Sequence, residues 1–473
     1  MSRQTDLTPR KLDLVRLRLV KLLLRNRWPQ FLLRLLTLGG FGLAILAGLF
    51  GTPVGSRNFA IVFVWIAWWA LLMLLAVPLF GRGWCSICPI PLPGEWLQQG
   101  TLLKPAGRGL GFGKRWPNRL RNIWLQNGAF ALVALFSSVI LTQPGISALV
   151  LLACLLIAVF ASLVFERRAF CRYLCPVGGF IGLYSQLAPV ELRIKDNALC
   201  ASHTEKTCYT GSAEGYGCPW QVFPAGLTKN TSCGLCMECL RTCPYDNIAI
   251  NLRQPGADLE QSRGRKLDEA YKAFIMLGSA LVYSAVMLGP WGWLKNTAYQ
   301  AGSLPWLAYA LSFLVFVFVL LPGAFALAVR GGQSLAGMRV KPGRRLRADF
   351  TQLAYALVPL GLAAWIAFSL SFVLANLSYI WPALSDPFGW GWNLFGTAYA
   401  SWTPYLTQVV PYLQILALVG GLAWAAHTAI RTAGHILRTS RAGSSSSGAG
   451  RLALPVVLFC LAVTAGLLGL LVA

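Results

Sequence analysis

Apolar positions in this chain run in long unbroken blocks instead of the short clusters that mark a half-buried surface helix. Blocks of about the twenty residues that cross a bilayer extend from Phe31 to Phe50, Phe59 to Phe80, Gly128 to Thr142, Ile146 to Phe165, Tyr271 to Gly289, Leu304 to Val329, Phe350 to Leu374, Leu406 to Ile430 and Leu452 to Val472. The pattern predicts about nine membrane spans, the third of them short. Three stretches depart from it. From Leu12 to Arg27, Leu alternates with Arg and Lys, which predicts a basic helix lying on the inner leaflet. Its apolar run starts late and meets no small-residue cleavage site, so it does not read as a targeting segment. From Arg193 to Arg265 the chain is polar and turn-rich, with Gly211, Gly215, Gly217, Pro219, Pro224 and Gly226, and needs little helix or sheet. The Ser/Gly run from Ala442 to Gly450 predicts a flexible linker.

Composition agrees with a polytopic membrane protein: of 473 residues, 56% are hydrophobic and only 12% charged, far from soluble usage. The net charge of +25 would suggest nucleic acid in a soluble protein, so its placement matters. Lys and Arg crowd residues Arg3 to Arg34, Arg82 to Arg121, the Cys-rich region, Arg330 to Arg347 and Arg431 to Arg451, whereas the alternate connections hold only Arg57 and Lys295. By the positive-inside rule these basic segments, the amino terminus included, face the cytoplasm across the inner membrane, and nucleic acid is not the expected partner. All of the 16 Asp and Glu residues except Asp386 fall on that same side, and none lies mid-span. A proton pump or ion-coupled transporter keeps such groups at bilayer depth, so that class is disfavoured. His427 is the one histidine that falls within an expected span, and a bis-histidine haem would need a partner on another helix, so haem is not expected.

Chemistry enters with the cysteines, of which there are 13. Cys233, Cys236, Cys239 and Cys243 follow the order C-x2-C-x2-C-x3-C and precede Pro244, the run by which bacterial ferredoxins hold cubane clusters. Three thiolates on a tight loop reach three irons of one cube, and the fourth, turned away by the Cys-Pro step, serves a second cluster. Zinc signatures instead place paired knuckles a dozen or more residues apart. The chain therefore reads as a carrier of electrons. Two cubanes want eight ligands, and the region offers Cys200, Cys208, Cys218, Cys233, Cys236, Cys239 and Cys243. Crossed ligation would give Cys233, Cys236, Cys239 and Cys218 to one cluster, and Cys243, Cys200 and Cys208 to the other. His203 would complete the second by nitrogen ligation, a solvated loop histidine being the alternative. Lys229, Arg241 and Arg253 would offset cluster charge or guide an acidic donor. A segment this small buries little, so metal binding should supply much of its folding free energy.

A weak repeat marks the first half. Trp84-Cys85-Ser86-Ile87-Cys88-Pro89 follows the second span, and Phe170-Cys171-Arg172-Tyr173-Leu174-Cys175-Pro176 follows the fourth. Cys85, Cys88, Cys171 and Cys175 at one membrane face could hold a further cluster or metal ion or form a thiol/disulfide pair; the plain alternative is that Cys-Pro ends the helix. The combination resembles the membrane-bound 4Fe-4S polyferredoxins of the NapH/NosR/CcoG type over roughly residues 31–250. Cys171 and Cys175 fit that family's hairpin motif, and Cys233, Cys236, Cys239 and Cys243 its ferredoxin run. Cys85 and Cys88 depart from it, with two intervening residues instead of three.

The resemblance implies two 4Fe-4S clusters, and electron transfer between a cytoplasmic donor such as a soluble ferredoxin, or the quinone pool, and a respiratory or metalloenzyme partner. This could make the chain a component of a quinol dehydrogenase. The rival is a factor that matures a copper or iron–sulfur centre through the membrane-edge pairs. A redox sensor is disfavoured, since no signalling domain is evident. The expected fold class is mainly α, a polytopic helical membrane protein with an inserted cytoplasmic ferredoxin-like domain. Its expected parts are a basic segment (1–30), a four-helix membrane part (31–189), the ferredoxin-like domain (190–266), a second bundle (267–441), and a linker with a final span (442–473). The outer loop from Leu377 to Tyr405 is aromatic, as interface belts are. Its Asp386 suggests a quinone or partner site as the alternative.

Overall fold

The computed structural model describes residues 12–103, 105, 109–261, 264–338, 344–439 and 446–472. Among them, eight helices are long and apolar enough to cross a membrane: α2 (Trp28–Phe50), α3 (Phe59–Ser86), α6 (Pro144–Val164), α8 (Leu267–Leu288), α9 (Leu304–Leu335), α10 (Arg345–Ser385), α11 (Val410–Thr439) and α12 (Ser447–Leu471). Shorter helices are α1 (Arg18–Arg25), α4 (Leu92–Gln99), α5 (Trp124–Leu135) and α7 (Pro176–Tyr184). The chain is a multi-pass, mainly α-helical membrane protein. The expected third span is α5, which breaks at Phe136 and resumes for one turn at Ser137–Ile140. It still runs the depth of the molecule. At its start Ile123 N donates to Asp268 Oδ2 at 3.0 Å, at the thiol-bearing end of the molecule. Beyond its far end Thr142 lies against Gly55, in the opposite connection between α2 and α3, so closely that a Cβ on Gly55 would sit 2.7 Å from the Thr142 carbonyl.

Burial separates the helices into two classes. The most apolar windows of α8 and α10 are 67% and 72% buried, those of the other six spans 22–44%, so α8 and α10 form the centre and the rest present Leu, Phe and Ile to lipid. Trp69 of α3 packs 5.5 Å from Trp365 of α10 and 5.8 Å from Phe180 of α7, and its Nε1 donates to Ser369 Oγ at 3.0 Å. Trp365 Nε1 donates to the Met276 carbonyl of α8 at 3.0 Å. Described residues of the expected four-helix part and of the expected second bundle thus contribute to one core.

The polar domain holds a three-stranded antiparallel sheet in the order β1-β3-β2: β1 (Leu12–Asp13), β2 (Val190–Ile194) and β3 (Ile248–Leu252). Its alternations, Val-Glu-Leu-Arg-Ile and Ile-Ala-Ile-Asn-Leu, are the period-2 pattern of half-buried strands, which thiol spacing overshadowed. The small core here is Val15, Leu192, Cys208, Leu227, Leu235, Cys239, Leu240, Cys243, Ile248 and Ile250, where cysteine takes the place of ordinary apolar residues.

The amino-terminal segment does not stand apart on the leaflet. Leu12 pairs with Leu252, Val15 is buried, and Lys21 of α1 bonds Asp246 at 2.6 Å. Leu19, Leu22 and Leu23 remain exposed, an apolar face left to the bilayer. Of the Ser/Gly run, residues up to 445 lie outside the described residues, and the helix has already begun at Ser446.

Candidate metal centres

The cysteine loop is shaped by its backbone. Leu235 and Met237 take the left-handed conformation, with φ of 48° and 63°, which folds Cys233 to Cys239 tightly enough for its thiols to share one side. Gly234 lets the loop lie on Trp220: a Cβ there would sit 2.2 Å from Trp220 Nε1. The loop is anchored by Asn230, whose N donates to Asp258 Oδ2 at 2.7 Å and whose Nδ2 donates to the Val190 carbonyl at 2.8 Å. Cys218, Cys233, Cys236 and Cys239 line one pocket with Leu192, Trp220, Val222, Leu227 and Met237.

A second group forms beside it. Asn247 donates from its backbone N to Cys243 Sγ at 3.5 Å and from Nδ2 to Cys200 Sγ at 3.2 Å, and Cys208 has Cys243 and Cys200 as its strongest charged neighbours. The His203 ring lies tilted against Tyr245 with centroids 4.6 Å apart, and its Nδ1 lies 2.8 Å from the Leu199 carbonyl. An Nδ1–H donated there leaves Nε2 as the acceptor, the tautomer that ligating histidines adopt.

The hairpin ends converge on a third group. Cys171 and Cys175 are raised in pKa first by burial, then by charged neighbours that include Cys88 and Cys85. The guanidinium of Arg168 tempers the rise at Cys171, and the Gly178 N–H, 3.2 Å from Sγ, tempers it at Cys175. Arg168 is bonded through both its edges: Nε and Nη2 donate to Glu95, the latter at 2.9 Å, and Nη1 donates to the Cys85 carbonyl at 2.7 Å. Burial alone would raise the Glu95 carboxyl, but Arg168 outweighs it and holds it below the usual carboxylate range. Arg82 donates to the carbonyls of Thr231 and, at 3.4 Å, Cys171, and lies 4.2 Å over the Trp220 ring, tying the hairpin ends to the cysteine loop.

Electrostatics then asks what such a crowd of buried thiols is for. Burial, followed by neighbouring thiols, pushes Cys236 and Cys88 up to about 12, and burial takes Cys233 to about 11. Thiolates there need cations to stabilise them. Among the described residues no group of three or more His, Cys, Asp or Glu side chains is drawn together as around a single ion. Four soft donors around an apolar pocket fit the larger iron–sulfur unit.

The basic residues expected to offset cluster charge each pair with an acid of the chain, and Arg241 also donates to the Cys236 carbonyl of the cysteine loop at 3.2 Å. Lys229 faces Glu269 at 3.8 Å, Arg241 bonds Glu238 at 2.9 Å, and Arg253 bonds Glu191 at 2.9 Å. Asp386 accepts from Trp390 N and Gly391 N at 3.0 and 2.7 Å, so both of its oxygens shape a turn. Arg82 and Arg168 are the basic residues that precede the aromatic-Cys motif at each hairpin end, whereas Glu95 and Trp220 escaped sequence reading. Glu95, an acid between apolar residues of α4, was their one local signal.

Residues 61–116 and 147–195 match a protein-family model described as a 4Fe-4S binding domain. The match encloses both hairpin ends and stops before Cys200. "Putative electron transport protein YccM" of Escherichia coli (strain K12) is 29% identical over 98 residues, which are 20% of this chain and 25% of that protein. "Uncharacterized protein MJ0750" of Methanocaldococcus jannaschii is 26% identical over 87 residues, 18% of this chain and 32% of that protein. The chain thus spans between a quarter and a third of the length of these curated relatives. No solved structure matches.

Proposed function

We propose that this multi-pass membrane protein, which carries a membrane-type 4Fe-4S binding domain, relays single electrons through iron–sulfur clusters held at one membrane face. The relay would join a cytoplasmic donor, or the quinone pool, to a membrane or respiratory partner. Support comes above all from the contiguity of the three thiol groups. Cys239 of the first has Cys208 of the second among its charged neighbours, and Arg168 is acted on by both Cys171 of the third and Cys236 of the first. Bound clusters supply the reversible one-electron chemistry. The chain's own residues supply the rest.

In this reading Cys218, Cys233, Cys236 and Cys239 hold one 4Fe-4S cluster. Cys200, Cys208 and Cys243 hold a second, with His203 Nε2 completing it, and Cys85, Cys88, Cys171 and Cys175 hold a further centre. Arg168 and Arg82 brace the hairpin ends against the cysteine loop, keeping neighbouring centres at fixed separation. By the positive-inside rule the basic connections support a cytoplasmic position for this face. A quinone head fits the cavity of about 300 Å³ where residues 254–265 meet α11, lined by Trp424, His427, Thr428 and Arg265 among others, which offers donors beside an apolar wall.

Anaerobic purification with iron and sulfide assays and a low-temperature EPR redox titration tests this reading. About eight or more irons, with interacting cubane signals reducible by a quinol analogue, is the expected result. Few irons, or copper bound at the hairpin thiols, would transfer the proposal to metal-centre maturation.

A further inference from the structure

Lys272 is a lysine in an unusual place. It sits on α8, in the second half of the chain, with a relative exposure of 0%, and reaches toward the hairpin ends of the first half. Its Nζ lies 4.4 Å over the Phe130 ring and 3.5 Å from the Gln126 carbonyl. The acids near it on its own helix point to other work: Asp268 accepts from Ile123 N and Glu269 N, both at 3.0 Å, and Glu269 pairs with Tyr355 and Lys229. A buried ammonium without an anion is strongly disfavoured, and its lysine gives up the proton instead, so a charged Lys272 needs an anion beside it.

Space for this lysine is built into the hairpin. Gly179 follows Cys175, Pro176, Val177 and Gly178, and a Cβ on it would come within 3.0 Å of Gln126 Oε1 and 3.3 Å of Lys272 Cε. Gln126 in turn donates to the Cys171 carbonyl at 3.1 Å. The side chain therefore meets the third thiol group through Gly179 of the same hairpin and through the Gln126–Cys171 contact.

We infer that Lys272 is the built-in counter-charge of an anionic iron–sulfur cluster held by Cys85, Cys88, Cys171 and Cys175, and that it raises that cluster's potential relative to the neighbouring centres. The inference rests on the proposed reading that the hairpin thiols hold a cluster. It also selects among their candidate roles, because a disulfide is neutral and would leave the ammonium without an anion. A cation fixed beside a thiolate-ligated cluster favours its more negative, reduced state. The second half of the chain thereby contributes directly to a centre whose thiols all come from the first.

The test begins with a Cys171→Ser variant, whose lost EPR signal and iron identify the hairpin centre. In Lys272→Gln that signal should titrate at a lower midpoint potential, with the signals of the other centres unchanged, and Lys272→Arg should restore the wild-type value. Gly179→Ala, which crowds the lysine without removing its charge, should shift the same signal alone and gives a second readout if Lys272→Gln fails to fold. An unchanged midpoint in either Lys272→Gln or Gly179→Ala overturns the counter-charge role. If Cys171→Ser removes neither signal nor iron, the cluster reading of the hairpin thiols itself fails, and the inference with it.

Discussion

Among single residues, the Arg168–Glu95 pair has the clearest consequence. Both are buried, at 3% and 5% exposure, and they join the two hairpins. Glu95→Gln leaves the guanidinium without its anion, which should cost about 3–5 kcal/mol. A fall in thermal midpoint, measured by near-ultraviolet dichroism in detergent, checks it. Because the carboxyl is depressed in the folded protein, the pair's contribution should be fully present above the unfolded pKa of about 4.5 and be lost only as pH falls through the lower folded value. Wild type and Glu95→Gln should therefore differ in stability by a constant amount from pH 8 to 6. Gly234→Ala forces a methyl into Trp220, and overpacking of about 1–3 kcal/mol should appear as reduced iron per protein. Cysteine spacing is a local property, so the thiols could be read from the chain, and Cys218, Cys233, Cys236 and Cys239 line one pocket. Arg168 and Glu95 are 73 positions apart, and no local pattern marks such a partner.

At the scale of elements, the broken α5 shows why hydropathy gave a weak third span: Ser137 and Ser138 interrupt the apolar block at the bend, and both are buried against protein instead of lipid. Shielding of that kind lets a short, kinked helix cross. Strand β1 was hidden for the opposite reason. Leu12–Asp13 is too short to show alternation, and the basic residues after it dominate any local reading. Deleting residues 12–17 removes a strand and buried Val15, and should make residues 190–266 more susceptible to limited proteolysis and lower their iron retention. Equal proteolysis of the full-length and shortened chains would show that the strand is dispensable.

For the whole molecule, nine apolar blocks were legible, but not that they assemble into one body. Aromatic contacts such as Trp69 with Trp365 are set by tertiary packing, and apolar residues that face lipid look the same in sequence as those that face protein. The charge asymmetry remains the guide to orientation. A cysteine placed at exposed Ser401 should react with a membrane-impermeant maleimide on intact cells, while one at Ser212 should require permeabilisation. Reversal of that pattern would put the thiol face outside.

The pairing of Leu12 with Leu252 also imposes a timetable on manufacture. The first strand leaves the ribosome 240 residues before its partner, and at translation rates of roughly 5–20 residues per second it waits on the order of ten seconds to a minute. During that wait the early hydrophobic helices enter the lipid, and the thiols of the nascent loop appear one after another. Assembly machinery therefore meets an open basin at the membrane surface, which the closing sheet seals only once the last cysteine and the strand after it have been made.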